Sequence, residues 1–286
     1  MPEQRITLVE CPRDAMQGFE HLIPTTQKIR YLNGLLQVGF DVLDFGSFVS
    51  PTAVPQMADT AEVLDSLIES PTELLAIVAG KQGINQALQH KRIDALGFPF
   101  SISETFQIRN TRKSVSDAFE LVKFLIDECN RFEKQLVVYL SMGFGNPYGD
   151  IWSQNLVIDW CGKLFETGVT TISLSDTVGQ ANAKTLGEIS ETCVQHFPNK
   201  NWGIHMHTST LNWKPKVEAV WNAGIRRFDG AIQGFGGCPF AEDELVGNLP
   251  TEKLLSYCNE KGIVHGIKTA YFEAAYNLAT ETFAHH

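Results

Sequence analysis

The most specific chemistry in the chain is the pair His205 and His207, separated by Met206. Residues two apart on a β-strand point to the same face, so the two imidazoles project together while Ile204 and Met206 project the other way. Two nitrogens fixed on one face make a corner for a metal ion, although two rings that merely hydrogen-bond would share the spacing. Asp14, just after the first apolar run, can add a carboxylate oxygen. Two neutral nitrogens plus oxygens suit a divalent ion of the Mg, Mn, Fe or Zn group, without choosing among them. A second feature is GFGGCPF, Gly234 to Phe240. Gly236 and Gly237 admit backbone conformations closed to other residues, so this segment reads as a lid carrying Cys238 or as a simple turn around a buried thiol. No Lys follows the glycines as it would in a phosphate-binding P-loop.

Other ionisable groups cluster where apolar runs end. Glu10, Cys11, Arg13 and Asp14 close the first run, Asp44 and Ser47 the second, Ser141 the fifth, Ser175 and Asp176 the sixth. In a parallel α/β barrel these ends gather on one face, which is where catalysis occurs.

The elements that must position them follow from periodicity. Eight β-rich runs begin at Arg5, Asp41, Glu73, Arg92, Gln135, Val169, Asn201 and Arg226, and they alternate with segments of helical spacing. Pro24 and Gly39 bracket a stripe of Ile29, Leu32, Leu35, Leu36 and Val38. Ser114 and Asp117 form a capping-box pattern. Asn212 is a candidate cap with Pro215 in the first turn, and Thr251 and Gly262 bracket a further helix. Eight β-then-α units without a linker predict a (β/α)8 barrel spanning residues 1–266, with a helical tail over 267–286 packed on the barrel or on a second subunit. An open doubly wound sheet is the alternative, weakened because no GxGxxG turn follows the first strand.

Composition narrows the function classes. The 286 residues carry 23 Lys and Arg against 33 Asp and Glu, a formal charge of −10, and no basic cluster of the kind a nucleic-acid surface needs. No apolar stretch approaches the about 20 residues that cross a bilayer, and the N-terminus lacks a signal-peptide core. The expectation is a cytoplasmic protein with neither membrane nor nucleic-acid partner. Its six scattered cysteines read as reduced thiols.

The motifs in combination carry a resemblance. VECPRDAMQG from Val9, SFVSPTAVPQM from Ser47, SLSDTVG from Ser173, HMH from His205 and GFGGCPFAEDELVGNLPTE from Gly234 resemble, in order, the signatures of 3-hydroxy-3-methylglutaryl-CoA (HMG-CoA) lyases, metal-dependent TIM-barrel enzymes. The resemblance implies that Asp14, His205, His207 and an oxygen of Asn248 hold a divalent metal, Mg or Mn before Zn or Fe. It implies that Arg13 stabilises a developing enolate, that Cys238 closes over the substrate and moves a proton, that Asp176 lies near the reacting hydroxyl, and that Asp44 takes the place of a family glutamate. Gln17, Ser141, Gly236 and Gly237 would contact the substrate. The implied reaction splits HMG-CoA, or a close branched 3-hydroxyacyl-CoA, into acetoacetate and acetyl-CoA in a homodimeric enzyme.

The sequence departs from the pattern at Thr208, where the family has Asp, at Asp44, at Ala15-Met16 in place of Gly-Leu, and at Gly18-Phe19 in place of Asn-Glu. The stretch from Cys238 to Asn248 is also one residue longer than the pattern. Two other functions share the barrel. A Claisen-type condensing enzyme of the isopropylmalate or citramalate synthase kind generally carries a C-terminal regulatory region, whereas only about 20 residues follow Gly266. A barrel that binds metal or acyl-CoA without turnover is the other.

Overall fold

A computed structural model describes residues 4–19, 21–237 and 247–284. Eight strands alternate with helices: β1 (Thr7–Glu10), β2 (Val42–Ser47), β3 (Glu73–Ile77), β4 (Ala95–Ser101), β5 (Gln135–Ser141), β6 (Thr171–Asp176), β7 (Asn201–Thr208) and β8 (Arg227–Gly230). Each pairs in parallel with its sequence neighbours, and β8 returns to β1 with Val9 opposite Asp229. The ring is closed, so the chain is a (β/α)8 barrel and the open-sheet alternative is excluded. All eight sequence-predicted strands are present.

Alternation along the strands separates two apolar layers. Val9, Cys11, Val42, Leu75, Ile77, Ala95, Val137 and Tyr139 fill the lumen. Their out-of-phase neighbours, among them Leu8, Leu43, Leu96, Val138, Ile172, Ile204 and Met206, pack outward against the helices. Gly97 belongs to the crowded lumen, where a Cβ would lie 2.5 Å from Ile77 Cδ1.

Local signals act largely as the sequence suggests. The helix Thr25–Val38 stops at Gly39 in the left-handed conformation (φ 95°), and Ser114 and Asp117 form the full capping box of the helix Val115–Arg131. Asn212 is a correction. Its side chain accepts from the Ser209 N–H rather than from the helix Trp213–Asn222, so the first turn lacks a side-chain cap. Thr251 opens the helix Thr251–Lys261 but turns its hydroxyl to Glu10.

The terminal helix Thr269–Phe283 lies on the helix Thr25–Val38. A Cβ on Gly34 would lie 2.5 Å from Leu278 Cδ1, so the glycine permits the close approach, and Phe283 meets Tyr31 edge-on at 5.7 Å. The same helix reaches the segment after β8. Phe283 packs on Phe235 at 4.5 Å, and Gln233 Nε2 donates to Tyr276 O and Thr280 Oγ1.

Candidate active site

Three ligand-type side chains meet at the C-terminal mouth of the barrel. His205 and His207 point inward from β7, and Asp14 rises from the short helix Pro12–Gln17 that follows β1. One ligand atom from each lies within 4.8 Å of the others. The rings stand 5.4 Å apart, nearly perpendicular. Among the described residues neither ring nitrogen of His207 makes a well-formed hydrogen bond although the side chain is buried, the backbone of Thr177 being its nearest polar contact. Buried polar atoms are ordinarily satisfied, and such an imidazole beside a carboxylate and a second imidazole is the donor set a divalent ion takes. The residues therefore fit a metal.

Charge tuning agrees for His207 and Asp14, while His205 holds a proton that a metal ion would displace. Burial and the neighbouring His205 push His207 down to about 4, which keeps its ring neutral. Burial alone would raise Asp14, but the Arg13 guanidinium and the two imidazoles outweigh it and hold the carboxyl below its ordinary value. For His205 the downward push of burial is overcome by its bond to Asp229 and by the Asp14 charge, leaving it raised.

Arg13 and Gln17 hold Asp14 in place. Arg13 Nη1 donates to Asp14 Oδ1 at 2.9 Å and to Gln17 Oε1 at 3.0 Å, while Gln17 Nε2 donates to Asp14 Oδ1 at 2.9 Å. The other edge of the guanidinium grips Asp44 through Nε at 3.0 Å and Nη2 at 2.5 Å. A guanidinium carries five N–H donors, so among the described residues one Nη2–H remains uncommitted. Burial pushes Asp44 up to about 6 in spite of Arg13, with Asp14 and Asp229 adding to the rise.

Arg13, Asp14, Gln17, His205 and His207 line a cavity of about 1410 Å³, while Asp44 lies outside the lining. Among the described residues Asp14 is the one acid in its lining, against Arg13, Lys81, Arg109, Arg112 and Lys113. Arg109 lies over the Tyr148 ring at 4.7 Å. A chain of net charge −10 thus keeps a cationic mouth.

Ser141, Gln17 and Arg13 line this cavity, but other expected residues sit elsewhere. Asp176 is one residue out of phase with Ser175: Ser175 pairs with His205 in register, whereas Asp176 pairs with the outward Met206. Its carboxylate faces the helix Trp213–Asn222 and binds Lys216 Nζ at 3.0 Å, so it does not line the cavity. Gly236 and Gly237 also lie outside the lining. Gly236 backs directly onto Asp14, where a Cβ would stand 2.7 Å from Asp14 O and 2.9 Å from Asn248 Nδ2. Asn248, on the two-residue strand β9 (Gly247–Asn248), pairs with His207. Its amide nitrogen, not its oxygen, faces Asp14 Oδ2 at 2.8 Å, and the carbonyl of Phe235 at 2.9 Å fixes that orientation. Cys238 lies outside the described residues.

The comparisons agree with this geometry. The HMGL-like family matches residues 6–278. The chain belongs to that family. It is 30% identical over 267 residues to a hydroxymethylglutaryl-CoA lyase of Bacillus subtilis, covering 93% of this chain and 89% of that protein. It is also 30% identical over 268 residues to a Pseudomonas aeruginosa 3-hydroxy-3-isohexenylglutaryl-CoA/hydroxy-methylglutaryl-CoA lyase, covering 92% and 88%. The solved structure of an A. baumannii HMG-CoA lyase in complex with coenzyme A and 3-methylmalate superposes with a TM-score of 0.90 at 28% identity, covering 98% of this chain and 92% of that one. Membership of the HMGL-like family makes this chain a lyase, and the family depends on a divalent metal.

Two functional groups, Asp229 and Lys216, escaped the sequence reading, and Glu10, grouped there with the ionisable residues of the barrel mouth, lies outside the cavity lining. Asp229 reaches His205 from β8, and its alternation with Arg227 on that strand was the available signal. Lys216 stands out as a cation inside the buried stripe of Val217, Val220 and Trp221. Glu10 points outward from β1 and is fully buried, accepting from the Ile232 N–H at 2.8 Å and the Thr251 hydroxyl at 2.6 Å.

Proposed function

We propose that the protein cleaves HMG-CoA, or a close branched 3-hydroxyacyl-CoA, to a 3-keto acid and acetyl-CoA with Mg or Mn bound by Asp14, His205 and His207. The observation that carries this reading is the Asp14–His205–His207 cluster on the floor of a cationic cavity. Lys81, Arg109, Arg112 and Lys113 suit the phosphates of a CoA carrier, and their charge at the mouth draws such a polyanion in. The A. baumannii relative, solved with coenzyme A, supports the same class of substrate.

The bond between the second and third carbons breaks while the hydroxyl, giving its proton to a base or water in the cavity, becomes a ketone and the thioester fragment leaves as an enolate. When bound, the metal supplies Lewis-acid polarisation and a template for the substrate oxygens. Arg13, clamped by Asp44, aims its remaining Nη2–H at the thioester oxygen where negative charge develops; one such donor is worth about 2.7–4 kcal/mol elsewhere. Gln17 keeps Asp14 and Arg13 at a fixed spacing. Cys238 delivers the proton that turns the enolate into acetyl-CoA. The likeness to the isohexenylglutaryl-CoA lyase favours some breadth in the acyl branch.

The test is acetoacetate formation from HMG-CoA by purified protein with Mg or Mn, repeated with EDTA and with His205→Ala. We expect both treatments to abolish turnover. Cleavage that persists with EDTA or in the variant overturns the site. Product from an isohexenylglutaryl-CoA but not from HMG-CoA would keep the site and change the substrate.

A further inference from the structure

We propose that Asp229 is the positioning residue of His205: its carboxylate holds the Nδ1–H, so that Nε2 keeps its lone pair for the metal. Asp229 Oδ2 lies 3.3 Å from His205 Nδ1. In a neutral imidazole one nitrogen carries the proton and the other accepts, so a carboxylate on Nδ1 assigns the ligand role to Nε2.

Three observations favour this reading over a purely structural carboxylate. Asp229 is buried (2% exposed), and its other oxygen, Oδ1, has no protein partner. The bond to His205 is thus its one side-chain hydrogen bond among the described residues. The strand β8 is held in register on both sides, Val9 standing opposite Asp229 and Ile204 opposite Phe228, so the carboxylate approaches from a rigid element. The ring is also held by Tyr139, which meets His205 edge-on at 6.1 Å. With Nδ1 bound by the carboxylate, Nε2 is the nitrogen left for a site shared with Asp14 and His207.

Cys11, His205 and Asp229 also lie close enough to form a second triad of donor atoms. It reads as support for the first. Cys11 packs in the apolar lumen with Val9, Val42 and Leu75, and its thiol faces the carbonyl of Val9 at 4.0 Å. A hydrogen-bonded carboxylate behind a ligating imidazole raises its basicity and fixes its tautomer, and loss of such a partner typically costs about 10–100-fold in metal affinity.

The proposal rests on the metal reading of Asp14, His205 and His207, and the experiment separates the two. Mn²⁺ titration of metal-free protein, followed by the electron paramagnetic resonance of free Mn²⁺, is compared for the unaltered chain, Asp229→Asn and Asp229→Glu. The expected result is affinity about 10–100-fold weaker in Asp229→Asn, partly restored in Asp229→Glu, with the melting temperature of metal-free protein little changed. Equal affinity in Asp229→Asn overturns the proposal. Absence of Mn²⁺ binding by the unaltered chain overturns the metal site itself and this inference with it. Nitrogen-15 spectra of the histidine-labelled, metal-free chain, at a pH alkaline enough for a neutral ring, read the tautomer without any variant. A proton on Nδ1 of His205 is expected, and a proton on Nε2 overturns the assignment even if a variant fails to fold.

Discussion

Arg13 spends its Nε and Nη2 edge on Asp44, at 3.0 and 2.5 Å, and only then turns Nη1 toward Asp14. Asp44 is thus an orienting partner of the arginine, and the shorter carboxylate side chain suffices because β2 carries it directly beneath the guanidinium. Lysine cannot reproduce a planar fork that binds two carboxylates at once. Arg13→Lys is expected to lower kcat about 100- to 1,000-fold, the scale of losing one donor to a developing oxyanion. Steady-state kinetics checks it, and a change confined to KM would contradict the role.

Gly236 is required by both its conformation and its neighbours. Its φ of 84° is left-handed, and a Cβ would meet the backbone of Asp14 and Ala15 at 2.7 and 2.8 Å. Backbone does not yield cheaply. Gly236→Ala is expected to push the segment away from Asp14, weakening Mn²⁺ binding at least several-fold. Titration of the metal-free variant measures it, and unaltered affinity would show that the loop root moves freely.

Burial raises the Glu10 carboxyl from 4.5 to about 8, the Thr251 and Ile232 bonds only partly opposing it. The folded protein therefore keeps this proton to a higher pH than the unfolded chain does. Stability from this group is complete below about 4.5 and is lost progressively as pH rises toward about 8, at about 1.4 kcal/mol per pH unit. Glu10→Gln keeps an acceptor for the Ile232 N–H without the charge, and its amide N–H can meet the Thr251 oxygen once that hydroxyl turns from donor to acceptor. Chemical denaturation at pH 5 and pH 9 should show that the variant loses much of the alkaline decline; identical slopes would remove Glu10 as its source.

Lys216 and Asp176 are buried together at 3.0 Å, and the ammonium also donates to the carbonyl of His207 at 2.9 Å. Removing one partner of such a pair leaves an unpaired buried charge and costs about 3–5 kcal/mol. Lys216→Met should lower the melting temperature strongly, and Asp176→Asn in the same chain should recover part of the loss. Additive losses in the double variant would argue against the pairing.

Much of this was legible in the sequence because it depended on local period and punctuation. The eight strands showed as apolar runs, and the His205/His207 pair showed its common face through spacing alone. Asp14 and Arg13 were visible as the charged end of the first run. What escaped depended on phase and register between distant strands. Asp176 and Ser175 are adjacent in the chain, and only the β6–β7 register shows that Ser175 enters the cavity while Asp176 meets Lys216. The reach of Asp229 to His205 needs β7 and β8 side by side. The amide orientation of Asn248 is set by Phe235, thirteen residues away. No single-strand pattern contains such information.

The contacts of Phe235 and Gln233 with the helix Thr269–Phe283 have a consequence for the order in which the protein matures. The root of the Gly-rich segment is braced by residues synthesised 43 to 48 positions later. A ribosome-bound chain that has already closed its barrel still lacks that brace until Phe283 has emerged. Competence at the mouth therefore follows closure of the barrel rather than accompanying it.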